Sequence, residues 1–111
     1  MLRLMIVDDE QIIREALSSM IDYTSLGYEV IATAKNGMEA YDRIRDDYPD
    51  VVITDIKMPI LNGLELIERA SRIDSRITFI LLSGYGEFEY AKQAMKYGVR
   101  YYLLKPTDKQ E

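Results

Sequence analysis

Five short apolar runs alternate along the chain with longer amphipathic stretches, and this alternation limits the fold more than any other feature. Each run has four to six residues, is rich in β-branched or aromatic side chains, and does not alternate between apolar and polar residues. Such runs are typical of strands that are buried on both faces, as in a parallel sheet. The runs occupy residues 4–7, 30–34, 51–54, 77–82 and 101–104.

Four stretches with apolar residues at helical spacing lie between these runs, around residues 13–21, 40–44, 64–73 and 88–95. Two of them begin with a capping signal, because Asn36 and Asn62 each precede a glutamate by three residues. Gly98 follows the fourth stretch and predicts a helix end. This strand–helix alternation predicts a doubly wound α/β domain, in which right-handed crossovers join a five-stranded parallel sheet.

The composition excludes several classes of site. The chain has 111 residues, enough for one domain with its own core, and it contains no cysteine and no histidine. Disulfides, thiolate zinc sites and a cysteine or histidine catalyst are therefore excluded, and any metal must be bound by oxygen atoms. The formal net charge of -5 argues against nucleic-acid binding. The apolar runs are too short to cross a bilayer and no signal peptide opens the chain, so we expect a cytoplasmic protein without membrane contact.

Reactive side chains follow four of the predicted strands, at the point where each strand ends. They are Asp8, Asp9, Glu10, Asp55, Ser83 and Lys105. Ligands of open α/β sheets bind beyond the carboxyl ends of the strands. A single acid such as Glu10 is more often a helix cap than a site, but four such strand ends at one edge of a sheet indicate a functional site.

The aspartates at these strand ends favour a magnesium site. Clustered carboxylates in a partly buried site raise one another's pKa unless a cation neutralises them. Mg²⁺ is the natural candidate, because it takes a few oxygen ligands and keeps several waters. We expect Asp9 and Asp55 to be direct ligands, with Asp8 acting mainly through a bound water. With Lys105 completing the charge balance, an acyl phosphate can form on one of the aspartates, since carboxylates serve as phosphoryl acceptors.

Four motifs of the chain, taken together, resemble those of a known family. They are V-D-D-E at 7–10, D-x-x-M-P-x-x-N-G at 55–63, L-L-S-G at 81–84 and Y-L-L-K-P at 102–106. In this order and spacing they resemble the receiver domain of bacterial two-component response regulators, over essentially the whole chain. The resemblance implies one receiver domain at 1–111 with a flavodoxin-like sheet of order 2-1-3-4-5.

The same resemblance implies how the metal and the phosphoryl group are held. Asp55 matches the phosphoryl-accepting aspartate of the family. Mg²⁺ is then held by Asp8, Asp9, Asp55 and the backbone carbonyl of Lys57. The phosphoryl donor is a sensor histidine kinase. The domain promotes its own phosphorylation and dephosphorylation, so it is a signalling switch and not an enzyme.

Three further residues match the parts of the family that respond to phosphorylation. Lys105 matches the lysine that pairs with the phosphoryl group, and Ser83 matches the hydroxyl that turns inward to bond a phosphoryl oxygen. Tyr102 matches the aromatic residue that moves from exposed to buried when that hydroxyl moves. The resemblance therefore implies a two-state switch that changes the activity of a downstream output.

A finer resemblance concerns segments 22–30 and 83–91, which are similar to receivers that precede an AraC-type DNA-binding domain. It implies that a missing output domain regulates transcription, whereas this fragment itself binds no nucleic acid. Residues 107–110 have capping-box spacing, so we expect the chain to stop where a fifth helix begins. The missing helix would leave apolar surface uncovered beside the first helix, and a homodimer is one way to cover it.

Three alternative functions fit the residues less well. A phosphatase of haloacid-dehalogenase type needs a second aspartate two residues after the nucleophile, where this chain has Lys57. A flavin-binding module on the same fold binds phosphate after its first strand, where the acids at 8–10 would repel it. A degenerate receiver that only binds partners would not be expected to retain the acid pair together with Asp55, Ser83 and Lys105.

Overall fold

A parallel sheet of five strands organises the computed structural model, which describes residues 1–74, 76–84, 88–97, 99 and 101–104. The strands are β1 (Leu2–Val7), β2 (Tyr28–Ala34), β3 (Val51–Asp55), β4 (Thr78–Ser83) and β5 (Tyr101–Leu104). They lie in the order β2-β1-β3-β4-β5, and each neighbouring pair is parallel. The predicted flavodoxin-like sheet is therefore confirmed.

Among the described residues, four α-helices connect the strands, and two of them, α2 and α3, start at the predicted capping signals. The helices are α1 (Gln11–Met20), α2 (Gly37–Asp47), α3 (Gly63–Ile73) and α4 (Phe88–Met95). The Asn62 side chain accepts from Glu65 N at 2.9 Å and the Glu65 side chain accepts from Asn62 N at 3.0 Å, which completes a capping box. The predicted fifth helix, from residue 107, lies outside the described residues. Among the residues described, no helix combines the length and the apolar character needed to cross a bilayer.

The strand boundaries differ from the predicted ones by up to two residues. β1 begins at Leu2 and β2 at Tyr28, because these two residues pair with each other in the ladder. At their other ends, β3 includes Asp55 and β4 includes Ser83. Both residues still have a partner in the neighbouring strand, so the ladder continues to the site residues.

Burial on both faces, expected for every strand, is found in the interior strands β1 and β3 but not in β2. All five residues of β3 and the last four of β1 are buried. In β2, by contrast, Ala34 is the one buried residue. The prediction is wrong for β2 because it lies at the edge, where it has a neighbour on one side only.

Two apolar clusters cover the two faces of the sheet, as the strand alternation requires. One includes Met5, Val7, Val52 and Leu81, which pack with residues of α2, α3 and α4. The other includes Leu4, Ile6, Ile53 and Leu82, which pack with Ile13 and Leu17 of α1 and with Tyr23. The sheet is therefore the middle layer of three, and its interior strands are held from both sides.

The face beside α1 has a covered interior and an exposed edge. Val51, Ile53 and Leu82 lie on this face, and none of these residues is more than 6% exposed. Tyr101 on β5 is 57% exposed. The expected apolar surface beside the first helix, and a homodimer that covers it, stay predictions.

The edge strand β2 contains one extra residue relative to its partner. Leu4 pairs with Val30 and Met5 pairs with Ala32, so Ile31 lies between the two pairs as a bulge. Parallel strands with such an insertion twist more strongly at that point. Beyond the bulge the ladder resumes and continues to Val7 and Ala34.

Candidate functional site

Three aspartates meet at the carboxyl edge of the sheet. Val7 of β1 pairs with Thr54 of β3, so the next residues, Asp8 and Asp55, lie side by side. Ligand oxygens of Asp8, Asp9 and Asp55 all lie within 4.8 Å of one another. Asp8 is fully buried and Asp55 is 2% exposed, whereas Asp9 is exposed. The three acids predicted from the strand ends are therefore brought together in one cluster, of which Asp9 is the exposed member.

Backbone amides fix the two buried carboxylates. Glu10 N donates to Asp8 Oδ1 at 2.9 Å, and Ile56 N donates to Asp55 Oδ1 at 2.8 Å. Asp8 N donates in turn to Ala34 O at 3.1 Å, which extends the β1–β2 pairing by one residue. A carboxylate that accepts a backbone N–H is restricted in its orientation, so both groups are held in place by the chain itself.

Two glycines bring the backbone close to the segment that follows β3. A Cβ atom built on Gly63 would lie 2.2 Å from the carbonyl oxygen of Asp55, and one on Gly37 would lie 2.1 Å from that of Leu61. Gly63 N also donates to Ile56 O at 2.7 Å. Neither close approach was predicted from the sequence. The Asn-Gly pair before both α2 and α3 was the available signal for these close approaches.

A second missed feature is the contact of Arg14 with the acidic segment. Arg14 lies in α1, and its Nη1 donates to the backbone carbonyl of Asp8 at 2.8 Å. Glu10 occupies the N-cap position of α1, but its side chain makes no capping hydrogen bond. The expected alternative role of Glu10 as a side-chain cap is therefore wrong, and its carbonyl instead accepts from Ile13 N and Arg14 N.

The remaining predicted residues are placed to different extents. Lys57 is exposed in the segment between β3 and α3. Ser83 ends β4 and Tyr102 lies in β5, and the structure describes the backbone of both residues. Lys105 lies outside the described residues. The structure therefore brings Asp8, Asp9 and Asp55 together, and the roles of the other four residues stay predictions.

The aspartate oxygens fit a hard divalent cation such as Mg²⁺. Three carboxylate oxygens within 4.8 Å of one another repel strongly in a buried setting, and a divalent cation relieves that repulsion. Oxygen ligands are what Mg²⁺ prefers, and it binds through one or two carboxylates plus waters. The exposed position of Asp9 leaves one side of the cluster accessible to solvent, where such waters can lie.

Comparison with known proteins identifies the family. The sequence model of one protein family, the response regulator receiver domain, matches residues 4–111 of this chain. The chain therefore belongs to this family. Receiver domains are signalling domains that interact with histidine kinases and accept a phosphoryl group, and they bind Mg²⁺ in an acidic pocket. The family assignment therefore agrees with the sheet order and with the acids at its carboxyl edge.

Similar proteins include transcriptional regulators and solved receiver domains. The transcriptional regulatory protein YesN of Bacillus subtilis is 50% identical over 111 residues, which are 100% of this chain and 30% of YesN. The receiver domain of the response regulator AraT from Geobacillus stearothermophilus is 40% identical, with a TM-score of 0.91 over 96% of this chain and 83% of that one. A two-component transcriptional regulator AraC from Clostridium phytofermentans is 34% identical, with a TM-score of 0.88 over 97% of this chain and 84% of that one. The chain thus spans about a third of the length of YesN and resembles receivers of AraC-type regulators.

Proposed function

We propose that the chain is a phosphoryl-accepting switch in which Asp55 receives the phosphoryl group, with Mg²⁺ held by the same acidic pocket. The observation that carries this proposal is the approach of three carboxylate oxygens, from Asp8, Asp9 and Asp55, within 4.8 Å. A buried cluster of like charges is costly to fold, and it becomes useful when a cation and a phosphoryl group complete it. Membership of the receiver family supports the same role.

Each aspartate has its own part in the proposal. Asp9, Asp55 and the carbonyl of Lys57 would hold the metal directly, and the buried Asp8 would act mainly through a water. Mg²⁺, when bound, neutralises the charge on the oxygens of the transferring phosphoryl group. The hydrogen bond from Ile56 N at 2.8 Å orients the Asp55 carboxylate for attack.

The transfer itself is a displacement at phosphorus. A carboxylate oxygen of Asp55 forms a bond to the phosphorus of a phosphohistidine on the kinase, and the phosphorus–nitrogen bond breaks. The electron pair of that bond returns to the imidazole, which takes up a proton. Lys105 pairs with the phosphoryl group and Ser83 bonds one of its oxygens, as in the receivers that the chain resembles. When Ser83 turns inward, Tyr102 moves from an exposed to a buried position.

The output of this switch belongs to the longer proteins that the chain resembles. YesN is a transcriptional regulatory protein, and the region that matches this chain makes up 30% of its length. We propose that the phosphorylated chain controls an AraC-like DNA-binding domain, and that phosphorylation and dephosphorylation are the only reactions it promotes. The homodimer and the cytoplasmic location predicted from the sequence fit this role.

Intact-protein mass spectrometry tests the proposal directly. The chain is incubated with acetyl phosphate and Mg²⁺, and we expect one added phosphoryl group. Asp55→Asn and chelation of the metal should each abolish labelling. Asp46→Asn is the matched control, because Asp46 is an exposed aspartate on α2 and should label like the wild type. Labelling that persists in Asp55→Asn would show that another residue is the acceptor.

A further inference from the structure

Arg14 contacts both ends of the segment that carries the first two aspartates. We call residues 8–10 the acidic loop. The Arg14 Nη1 donates to the carbonyl oxygen of Asp8 at 2.8 Å, and its backbone N donates to the carbonyl oxygen of Glu10 at 3.1 Å. The residue is partly buried, so its side chain is fixed along the protein rather than extended into water. The backbone bond is the first regular bond of the helix, so the side chain of Arg14 adds one specific contact, which ties the start of the acidic loop to α1.

The start of α1 lacks the device that fixes the starts of α2 and α3. Asn36 and Asn62 cap those helices by accepting from the amides of Glu39 and Glu65. Glu10, at the equivalent position of α1, makes no side-chain capping bond. Since a capped start fixes the path of the chain into a helix, other contacts have to restrain the acidic loop. One is the hydrogen bond from Glu10 N to Asp8 Oδ1 at 2.9 Å, and the reach of Arg14 back to the Asp8 carbonyl is a second.

Asp9 is the one exposed aspartate of the three. Asp8 is buried and pairs through its backbone with Ala34, whereas Asp9 is exposed. Repulsion from the other two carboxylates favours a loop in which Asp9 turns away into water. The hydrogen bond from Arg14 restrains the peptide between Asp8 and Asp9, because its acceptor is the carbonyl of that peptide.

We infer that Arg14 is a positioning residue, which holds the acidic loop so that Asp9 reaches a divalent cation beside Asp55. This inference rests on the proposed function. The hydrogen bond and the positive charge of Arg14 act in opposite directions on cation binding. Loss of the hydrogen bond frees the loop and weakens binding, whereas loss of the charge alone removes a repulsion and strengthens it. The sign of the effect therefore separates the two roles.

Isothermal titration calorimetry with MgCl₂ on this chain measures the effect. We expect Arg14→Met to weaken Mg²⁺ binding about tenfold, in line with the loss of a hydrogen bond from a charged donor. Arg14→Lys should recover most of the affinity, because an ammonium group donates to the same carbonyl. Arg72→Met is the matched control, since Arg72 is an exposed arginine of α3 paired with Glu68, and its replacement should leave Mg²⁺ binding unchanged.

The outcomes distinguish this inference from the proposed function. If the wild type binds no Mg²⁺, the proposed function fails and the positioning role fails with it. If the wild type binds Mg²⁺ and Arg14→Met binds it equally well or more tightly, the positioning role alone is overturned.

Should Arg14→Met not fold, Arg14→Gln replaces it, because the neutral side chain of glutamine is too short to reach the Asp8 carbonyl. Faster hydrogen exchange of the Asp9 and Glu10 amides in either variant without Mg²⁺ supports the inference, and unchanged exchange overturns it.

Discussion

Gly63 packs its Cα against the carbonyl group of Asp55, so the first residue of α3 sets the position of the last residue of β3. A Cβ atom at Gly63 would lie 2.2 Å from the Asp55 oxygen and 3.0 Å from the Cα of Ile56. Both neighbours are backbone atoms, which cannot rotate away as a side chain would. The start of a helix and the proposed phosphoryl acceptor are therefore in direct contact.

Gly63→Ala should impair phosphorylation as well as stability. The added methyl group must displace the backbone of Asp55, and we expect a loss of about 2 kcal/mol in the free energy of unfolding with a slower rate of labelling by acetyl phosphate. Gly27→Ala is the control. Gly27 has a φ of 89° and open space around it, so alanine there costs about 1 kcal/mol through backbone strain. Equal labelling rates for the two variants would show that the Gly63 contact does not affect the acceptor.

Replacement of Ile60 should stabilise the protein. Ile60 has a φ of 72°, which is a strained backbone conformation for a β-branched residue. Its side chain is 76% exposed, so burial of the side chain does not offset this strain. We expect Ile60→Gly to raise the free energy of unfolding by about 1 kcal/mol. Ile12 is also exposed, at 74%, but it is helical, so Ile12→Gly should lower stability by about 0.5 kcal/mol. Urea denaturation measures both, and changes of the same sign would contradict the strain at Ile60.

Tyr23 should make stability fall at alkaline pH. Its hydroxyl donates to Leu17 O at 2.8 Å, and burial raises the pKa of Tyr23 above the usual 10.0. The folded state therefore favours the protonated phenol. This contribution is fully present below pH 10.0 and is lost as the pH rises through the raised pKa.

Urea denaturation of Tyr23→Phe at neutral and alkaline pH checks this expectation. Near neutral pH the variant should be about 1 kcal/mol less stable than the wild type, because the hydrogen bond is lost. At about pH 11 the difference should shrink. Tyr48→Phe is the control, since Tyr48 is 62% exposed and its replacement should change stability little at either pH. A difference for Tyr23→Phe that stays constant with pH would be evidence against the raised pKa.

Asp9→Asn should abolish the stabilisation by Mg²⁺ while leaving the metal-free protein intact. Asp9 is exposed but lies within 4.8 Å of the two buried carboxylates, so removal of its charge should relieve repulsion and leave the metal-free protein at least as stable as the wild type. Mg²⁺ at about ten times its dissociation constant should stabilise the wild type by about 1.4 kcal/mol through preferential binding to the folded state. Thermal unfolding with and without Mg²⁺ measures both quantities. A variant that is stabilised as much as the wild type would remove Asp9 from the ligand set.

The sheet and the acid cluster were predictable because both depend on local patterns. Apolar runs identified the interior strands, and parallel strands place their carboxyl ends at one edge, which is where Asp8, Asp9 and Asp55 meet. The partial exposure of β2 was not predicted, because its apolar run looks like those of the interior strands. Position in the sheet, and not the run itself, decides how much of a strand is buried.

The contacts that support the site were not predictable from the same patterns. Arg14 reaches Asp8 only because α1 begins at Gln11 and turns that side chain back toward β1. The approach of Gly63 to Asp55 depends on the angle at which the chain leaves β3. A β-branched residue such as Ile60 carries no sequence signal for a left-handed conformation. Each of these features follows from how elements meet in three dimensions.

The extra residue in β2 affects how copies of this protein meet one another. β2 presents backbone amide and carbonyl groups along one edge of the sheet, and a straight edge of that kind can add a strand from another molecule. Because Ile31 interrupts the regular spacing between Val30 and Ala32, an incoming extended chain cannot form an unbroken ladder along β2. We therefore expect the β2 edge to resist fibril-like stacking at high protein concentration.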